Sequence, residues 1–426
     1  MRITRLLAVT LLLAAPGLAL PQDTPRYMGV SSCASGQCHG RIDRDPTTNV
    51  WLNEYRIWRG DDYHSRAYRT LLTPESRLIA AKLGLASANE SPLCLNCHAA
   101  NIPVAQRGPE FQLTDGVGCE SCHGASEKWL STHDDKGVTH QDSVRHGLYR
   151  LSDPLTRAQR CYNCHMGTAD RFATHRILGA GHPRLSFELE NFTANQPAHY
   201  SLDEDYRRRK GGIDTASLWL GGQIEGSRRF LQMLQTRYMQ SPGLTPELGF
   251  YDCQGCHHGL DPLDRRWSLQ RRSQGLEPGA LRLQDHHLRM LEVISDVLSP
   301  GESAQLRGLI NRLVAAGQSS REATAQSAKG LDSWIQAHSQ GWIRARSPAQ
   351  MRDIRKRLVA QAASGGLVDY GTAEQGLLSI VTLSTYLGEQ DRLAPAIDVL
   401  FDALGNDETF RPSRYAATAR QVFGRF

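Results

Sequence analysis

The sequence lacks the features of several large classes of protein. After residue 20 it has no stretch near the roughly 18 uninterrupted apolar residues that a membrane-spanning helix requires. Its apolar share of 40% and charged share of 22% exclude intrinsic disorder, a collagen and a polytopic membrane protein. Strand-type alternation is scarce throughout, and no cysteine occurs after Cys256. The composition therefore divides the chain into a cysteine-containing part and a part without cysteine.

A strong net charge is also absent. The formal charge of the 426-residue chain is +5, which is a mild basicity for a surface of this size. A basic run at 207–210 directly follows three acidic residues at 203–205. We interpret this run as a solvated loop and expect no binding to nucleic acid.

The first residues have the pattern of an export signal. Arg2 and Arg5 precede a short apolar run, and Gly17-Leu18-Ala19 offers a cleavage site of the small-x-small type. The apolar run is too short for a good membrane span, and no cysteine follows the site as a lipoprotein anchor would need. We expect residues 1–19 to be a signal peptide. The mature protein is then periplasmic or otherwise exported, with no membrane span.

Helical periodicity predicts a mainly α protein. Apolar residues recur at helical spacing over 74–85, where Thr73 precedes Pro74 as an N-cap, and over 214–240. Beyond residue 276 the periodic segments follow one another closely, and they cover 281–298, 306–313, 319–342, 348–362, 372–387 and 393–404. The sequence predicts an irregular domain over 27–275 and a helical domain of five or six segments over 276–426.

All ten cysteines belong to five short motifs, numbered here in chain order. In the second to fifth motifs two residues separate the cysteines, whereas four separate them in the first. In every motif the second cysteine is followed by histidine. The motifs are Cys33/Cys38/His39, Cys94/Cys97/His98, Cys119/Cys122/His123, Cys161/Cys164/His165 and Cys253/Cys256/His257.

Zinc sites and disulfides are the two alternatives to a haem interpretation of these motifs. Histidine makes up only 16 of 426 residues, so a histidine after all five pairs has a chance probability of roughly one in ten million. Neither zinc ligation nor a disulfide requires histidine at the next position. C-x-x-C-H is the attachment signature of c-type haem, and the sequence therefore predicts five covalently bound haem c groups.

The spacing of the motif suits this chemistry. Two nearby thiols form thioethers with the two vinyl groups at one edge of the porphyrin, and the following histidine binds the iron from one face. The wider loop of the first motif changes none of these bonds. The irregular domain is therefore predicted to be a multihaem cytochrome c domain organised around its haems.

The second iron ligands are harder to assign, because more histidines are present than five haems need. Methionine is an alternative ligand, but few methionines lie near the motifs. We favour histidine, and number alone selects none of the eleven candidates. They are His64, His133, His140, His146, His175, His182, His199, His258, His286, His287 and His338.

The segment 58–72, with His64 before Ala67-Tyr68, and the segment 116–124 followed by His133, resemble the cytochrome c-554 family of multihaem electron carriers. The resemblance covers roughly residues 31–199. It implies that His64 ligates the third haem and that His133 ligates the first. It also implies that the second haem, on His98, can lack a second protein ligand and stay open.

The chain departs from the family pattern in its wide first motif, its fifth motif and its helical C-terminal part. The remaining second ligands therefore need other candidates. His182 lies in a glycine-flanked segment at 179–185 and is the first choice, and His175 and His199 follow it.

The expected function is electron transfer between redox partner proteins, since an iron with two histidine ligands binds no substrate. The alternative is an oxidoreductase that acts on a small nitrogen or sulfur species at one five-coordinate haem. Against an enzyme, the sequence has no C-x-x-C-K motif of the kind used by pentahaem nitrite reductases. We therefore expect a carrier rather than a catalyst.

Overall fold

The structure, a computed structural model, describes residues 24–47, 50–212, 214–240, 243, 245–257, 276, 280–344 and 346–424. The expected signal peptide, 1–19, lies outside the described residues. Over the described ranges the protein is built from helices, and β-type pairing is limited to isolated bridges between Tyr27 and Arg107 and between Tyr251 and Leu283. The prediction of a mainly α protein is confirmed.

Short helices joined by turns make up the N-terminal part. The predicted helix at 74–85 is α3, which begins after Thr73 and ends at Gly84 in the left-handed conformation. The helices of this part are α1 (Glu54–Gly60), α2 (Ala67–Thr70), α3 (Pro74–Leu83), α4 (Pro92–His98), α5 (Cys119–His123), α6 (His140–Arg145), α7 (Pro154–His165), α8 (His175–Gly179), α9 (Leu189–Asn195), α10 (Glu204–Lys210), α11 (Thr215–Met233) and α12 (Arg237–Gln240).

Seven further helices follow residue 285 in the described part of the chain, and we call them the C-terminal helices. The sequence predicted five or six, because the last helix has no counterpart among the predicted segments. They are α13 (His286–Leu298), α14 (Ser303–Gly317), α15 (Arg321–His338), α16 (Pro348–Ser364), α17 (Tyr370–Tyr386), α18 (Gln390–Leu404) and α19 (Pro412–Phe423). None of the helices in the described ranges is long and apolar enough to cross a bilayer.

Helix α11 connects the two parts of the fold. It packs against α7 and α9 on one side and against α13, α15 and α17 on the other. Gly221 and Gly222 permit the close approach to the first pair, since a Cβ atom at either position would lie 2.8 Å from Pro154 or Leu189. The opposite side of α11, including Trp219 and Leu220, is buried in the same apolar core as the C-terminal helices.

A buried ion-pair network lies at the start of the C-terminal helices. Arg282, which is 2% exposed, contacts Asp285 at 2.8 Å and Asp369 at 3.2 Å. Asp285 also accepts from Arg289, at 2.7 Å. Because each buried charge has a partner of opposite sign, the network joins the segment before α13 to α13 and to the start of α17.

The basic run at 207–210 is helical, and its interpretation as a loop was wrong. It forms the last turns of α10, whose N-cap is Asp203. Acidic residues at the start of a helix and basic residues at its end both favour the helix macrodipole. Asp205 also forms ion pairs with Arg208 and Arg209 within the helix.

Candidate functional site

A single helical turn presents the reactive groups of the second, third and fourth motifs. These motifs lie in α4, in α5 and at the end of α7. Residues three and four positions apart share one face of a helix, so both thiols and the imidazole of each motif face the same side. The fifth motif makes an equivalent turn, in which His257 N–H donates to the carbonyl of Cys253 at 2.8 Å.

The first motif has the same bond from the histidine N–H to the carbonyl of the first cysteine, but across a longer loop. His39 N–H donates to the carbonyl of Cys33 at 3.1 Å, although four residues separate the two cysteines. The carbonyl of Ser35 accepts from Cys38 N–H and from Gly40 N–H, and these two bonds hold the longer loop. The additional residues therefore form a turn of their own, while the histidine keeps its backbone bond to the first cysteine.

The residue after the first cysteine anchors each of the four regular motifs to the protein. It is buried in every case, and its exposed fraction lies between 1% and 6% for Leu95, Glu120, Tyr162 and Gln254. These residues are not recognisable from the sequence, because the four motifs have different residue types at this position. Only its position identifies this residue, because the residue after the first cysteine points away from the face that carries the thiols.

Glu120 ties the third motif to the N-terminal segment. Its carboxylate accepts from the backbone N–H groups of Met28, Gly29 and Ser126, each at 2.8 Å, and from the Ser126 hydroxyl at 2.6 Å. Four donors on one buried carboxylate fix the orientation of the turn that carries Cys119 and Cys122.

Replacing Glu120 by alanine is expected to lower the free energy of unfolding by about 3 kcal/mol, because buried N–H groups lose their acceptor. Chemical denaturation followed by circular dichroism measures the change. Glu127→Ala is the control, since Glu127 is half-buried at the surface and pairs with Arg26. Equal losses in the two variants would contradict an anchoring role for Glu120.

Five histidine pairs are the main feature of the site. Each pair joins one motif histidine to one histidine outside the motifs, and the ring centroids are 6.1–6.4 Å apart. The pairs are His39 with His133, His98 with His182, His123 with His199, His165 with His64, and His257 with His175.

This separation fits one metal ion between the two rings of each pair. A metal–imidazole bond is about 2.0 Å long and the ring centroid lies about 1.2 Å behind the ligating nitrogen, which gives about 6.4 Å between opposite rings. Direct ring stacking would bring the centroids closer, as for His338 on Trp334 at 4.0 Å. The spacing of each pair therefore suits one iron held by both of its histidines.

Hydrogen bonds to Nδ1 orient several of these rings. The Nδ1 atoms of His39 and His64 donate to the carboxylates of Glu54 and Asp62, at 3.0 and 2.8 Å. Backbone carbonyls accept from Nδ1 in three more rings, namely His98, His133 and His182. A bond at Nδ1 leaves Nε2 as the metal-binding nitrogen, which is the usual arrangement of histidine ligands.

Burial keeps other rings of the set neutral, as a metal ligand must be. Removal from water lowers the pKa of His123 to about 3 and that of His165 to about 4. His39 and His64 differ, because their carboxylate partners raise the pKa of both imidazoles. His165 is further held by a stacked contact with Phe187, whose ring centroid lies 4.3 Å away.

Motifs that are distant in the sequence touch one another through their thiols. The thiols of Cys33 and Cys119 lie next to each other, and so do those of Cys97 and Cys164. The first motif is thus adjacent to the third, and the second to the fourth. All ten cysteines are free of disulfides.

Two expectations from the resemblance differ from the structure. His64 was expected opposite the third motif, but its ring faces His165 of the fourth. Only its backbone meets the third motif's segment, where Val117 N–H donates to the His64 carbonyl at 3.0 Å, and Asp62 turns the ring away. His98 was expected to have an open side, but His182 lies opposite it because α8 packs on α3.

The other described histidines belong to none of the five pairs. His140 begins α6, His146 is exposed at its end, and His338 stacks on Trp334. His287 is buried and bonded to Gln223 at 2.8 Å, with His286 beside it. His258 lies outside the described residues. Within the described ranges no three histidine, cysteine or acidic side chains converge as a zinc site would require.

Comparison with known proteins confirms the family resemblance over the N-terminal part. Residues 32–124 match the family described as cytochrome c554 and c-prime. Cytochrome c-554 of Nitrosomonas europaea is 26% identical over 174 residues, a match that spans 38% of this chain and 66% of the relative. No solved structure matches the chain.

Proposed function

We propose that this chain, which is similar to cytochrome c-554 over its N-terminal part, is an exported pentahaem c-type cytochrome that carries electrons between redox partner proteins. The observation that carries the proposal is the set of five histidine pairs, each with one motif histidine. Haem iron supplies one-electron exchange between its ferric and ferrous forms. The ten cysteines would form the thioethers, and the ten paired histidines would bind the five irons.

The pairing supports a carrier rather than the alternative, an oxidoreductase for a small nitrogen or sulfur species. Catalysis at iron needs a free coordination position, and every motif histidine has a second imidazole at ligand distance from a shared metal. The second motif is the important case, because His182 faces His98 and donates from Nδ1 to the carbonyl of Pro183.

Contacts between motifs support transfer within the protein. The third motif adjoins the first through Cys33 and Cys119, and it lies near the fourth through Cys122 and Cys161. Cys38 and Cys256 are exposed, whereas the other eight cysteines are half-buried. We assign entry and exit of electrons to the two exposed ends, the first and fifth motifs.

The domain organisation and the location are part of the proposal. A signal peptide at 1–19 would direct export, residues 27–275 carry all five motifs, and residues 276–426 form the helical domain. Export would place the exposed first and fifth motifs within reach of exported redox partners.

The number of haems tests the proposal directly. Pyridine haemochrome analysis of the purified protein is expected to give five haems per chain, and electron paramagnetic resonance is expected to give only low-spin signals. The double variant Cys33→Ala/Cys38→Ala should hold four. The matched control Cys94→Ala/Cys97→Ala should also hold four, because it removes a motif of regular spacing.

Four haems in the unaltered protein, with no loss in the first-motif variant, would contradict the assignment of Cys33 and Cys38. A high-spin haem that binds cyanide and turns over nitrite or hydroxylamine would favour the oxidoreductase instead.

A further inference from the structure

A cleft lies between the N-terminal part and the C-terminal helices. Its walls are mainly aromatic and aliphatic. Phe172, Leu178 and Phe250 line it from the N-terminal part, and Gln284 and His286 line it from the beginning of the C-terminal helices.

The cleft lies between the segments of the fourth and fifth motifs, and His165 of the fourth is part of its lining. Ala173, two residues before His175, belongs to the lining, and so does Phe250, three residues before Cys253. Gly249 completes this side, because a Cβ atom there would lie 3.3 Å from the backbone nitrogen of His175. The segment before the fifth motif and the segment of its partner histidine therefore form one wall.

The segment that leads into α13 fixes the backbone before the fifth motif. Asp252 N–H donates to the Arg282 carbonyl at 2.7 Å, and Gln284 N–H donates to the Phe250 carbonyl at 2.9 Å. The Gln284 side chain adds a bond to the carbonyl of Tyr251 at 2.9 Å. Arg282 belongs to the buried ion-pair network, so this wall continues into the core of the C-terminal helices.

The fifth motif itself rests on the loop between α18 and α19. The amide of Gln254, its buried anchor residue, donates to the carbonyls of Asp407 at 2.5 Å and Phe410 at 3.2 Å. No part of this attachment comes from the segments that hold the first or third motif, whose anchor is Glu120.

Arg184 fastens the opposite wall to the same helices. It lies two residues after His182 and lines the cleft. Its guanidinium contacts Glu374 at 2.8 Å and Asp407 at 3.7 Å, and it lies over the ring of Tyr370 at 4.7 Å. The segment before the fifth motif, the fifth motif itself and the segment after His182 are thus all bonded to the C-terminal helices or to the segments that join them.

We infer that the C-terminal helices hold the fifth motif in place, so that the fifth haem and these helices stabilise each other. The inference rests on the proposed function and extends it to the role of the helical part. A haem on this motif would add apolar contacts to the segments that the helices hold, and its loss would remove those contacts.

Hydrogen exchange of the full-length protein tests this coupling. In Cys253→Ala/Cys256→Ala, amide exchange in α13 and α17 is expected to rise about tenfold or more, because the local opening energy falls. Cys33→Ala/Cys38→Ala is the matched control, since it also removes one haem but leaves the cleft intact. Unchanged exchange in α13 and α17 of the first variant, or an equal rise in both, would overturn the inference.

Gln254→Ala tests the same coupling with both cysteines and the histidine retained. Mass spectrometry of the peptide that holds the fifth motif is expected to find a larger haem-free fraction than in the control Asn163→Ala, which changes a residue of the fourth motif. Equal haem-free fractions would count against the inference. Failure of the proposed function is distinguishable, because the unaltered protein would then have no haem on the fifth motif.

Discussion

The variant His182→Ala is expected to change one haem in five from low spin to high spin. The His182 side chain lies opposite His98, and alanine would supply no ligand, so an iron held by His98 would be five-coordinate. The reduced variant should then bind one carbon monoxide per chain, whereas the unaltered protein should bind none. Electron paramagnetic resonance of the oxidised form and carbon monoxide difference spectra measure both effects.

His140→Ala is the matched control, because His140 begins α6 and belongs to no pair. It should leave all five haems low-spin. If His182→Ala also stayed fully low-spin, His182 would not be an axial ligand. If the unaltered protein already bound carbon monoxide, the second site would be open as the resemblance implied, and the oxidoreductase alternative would gain support.

The variant Asp285→Ala is expected to lower the free energy of unfolding by about 3–5 kcal/mol, since it removes a shared partner of two buried arginines. Arg282 is 2% exposed and keeps only Asp369, while Arg289 keeps Glu292. Thermal and denaturant unfolding followed by circular dichroism measure the loss. Arg307→Ala removes a surface ion pair with Asp296 and should cost less than about 1 kcal/mol.

The pKa of Asp285 predicts that the protein loses stability in acid. Burial alone would raise the pKa of Asp285, but the charges of Arg282 and Arg289 outweigh burial and lower it to about 2. A depressed pKa in the folded state means that the stabilisation is complete above about pH 4 and is lost as the pH falls towards 2. The stability of Asp285→Ala should therefore depend less on pH in this window, and an unchanged acid transition would contradict the assignment.

The five motifs could be identified from the sequence because their chemistry is local, within one helical turn. The pairs could not, because a second ligand is set by packing between distant segments. His64 illustrates this: its backbone bonds to the third motif's segment, yet Asp62 directs its ring towards the fourth. The anchor residues were missed for a related reason, since Glu120 and Gln254 occupy the same position but bond to different neighbours.

Helices, like the motifs, could be predicted where their signals are local in the sequence. The helix at 74–85 has local signals at both ends, Thr73 with Pro74 and then Gly84, and the structure agrees with it. The run at 207–210 was interpreted from its charge alone, although Asp203 offered an N-cap. The predicted segment at 214–240 is divided in the structure, where α11 ends at Met233 and α12 follows.

The contact between Cys33 and Cys119, and that between Cys97 and Cys164, has a consequence for the chain before any haem is attached. An oxidant acting on the folded apoprotein meets thiols of different motifs side by side. A cross-link between them would block two attachment sites at once, and its release would need attack by another thiol on the disulfide. In an oxidising compartment, maturation of this protein therefore requires a reductant that keeps these four sulfurs as thiols until haem arrives.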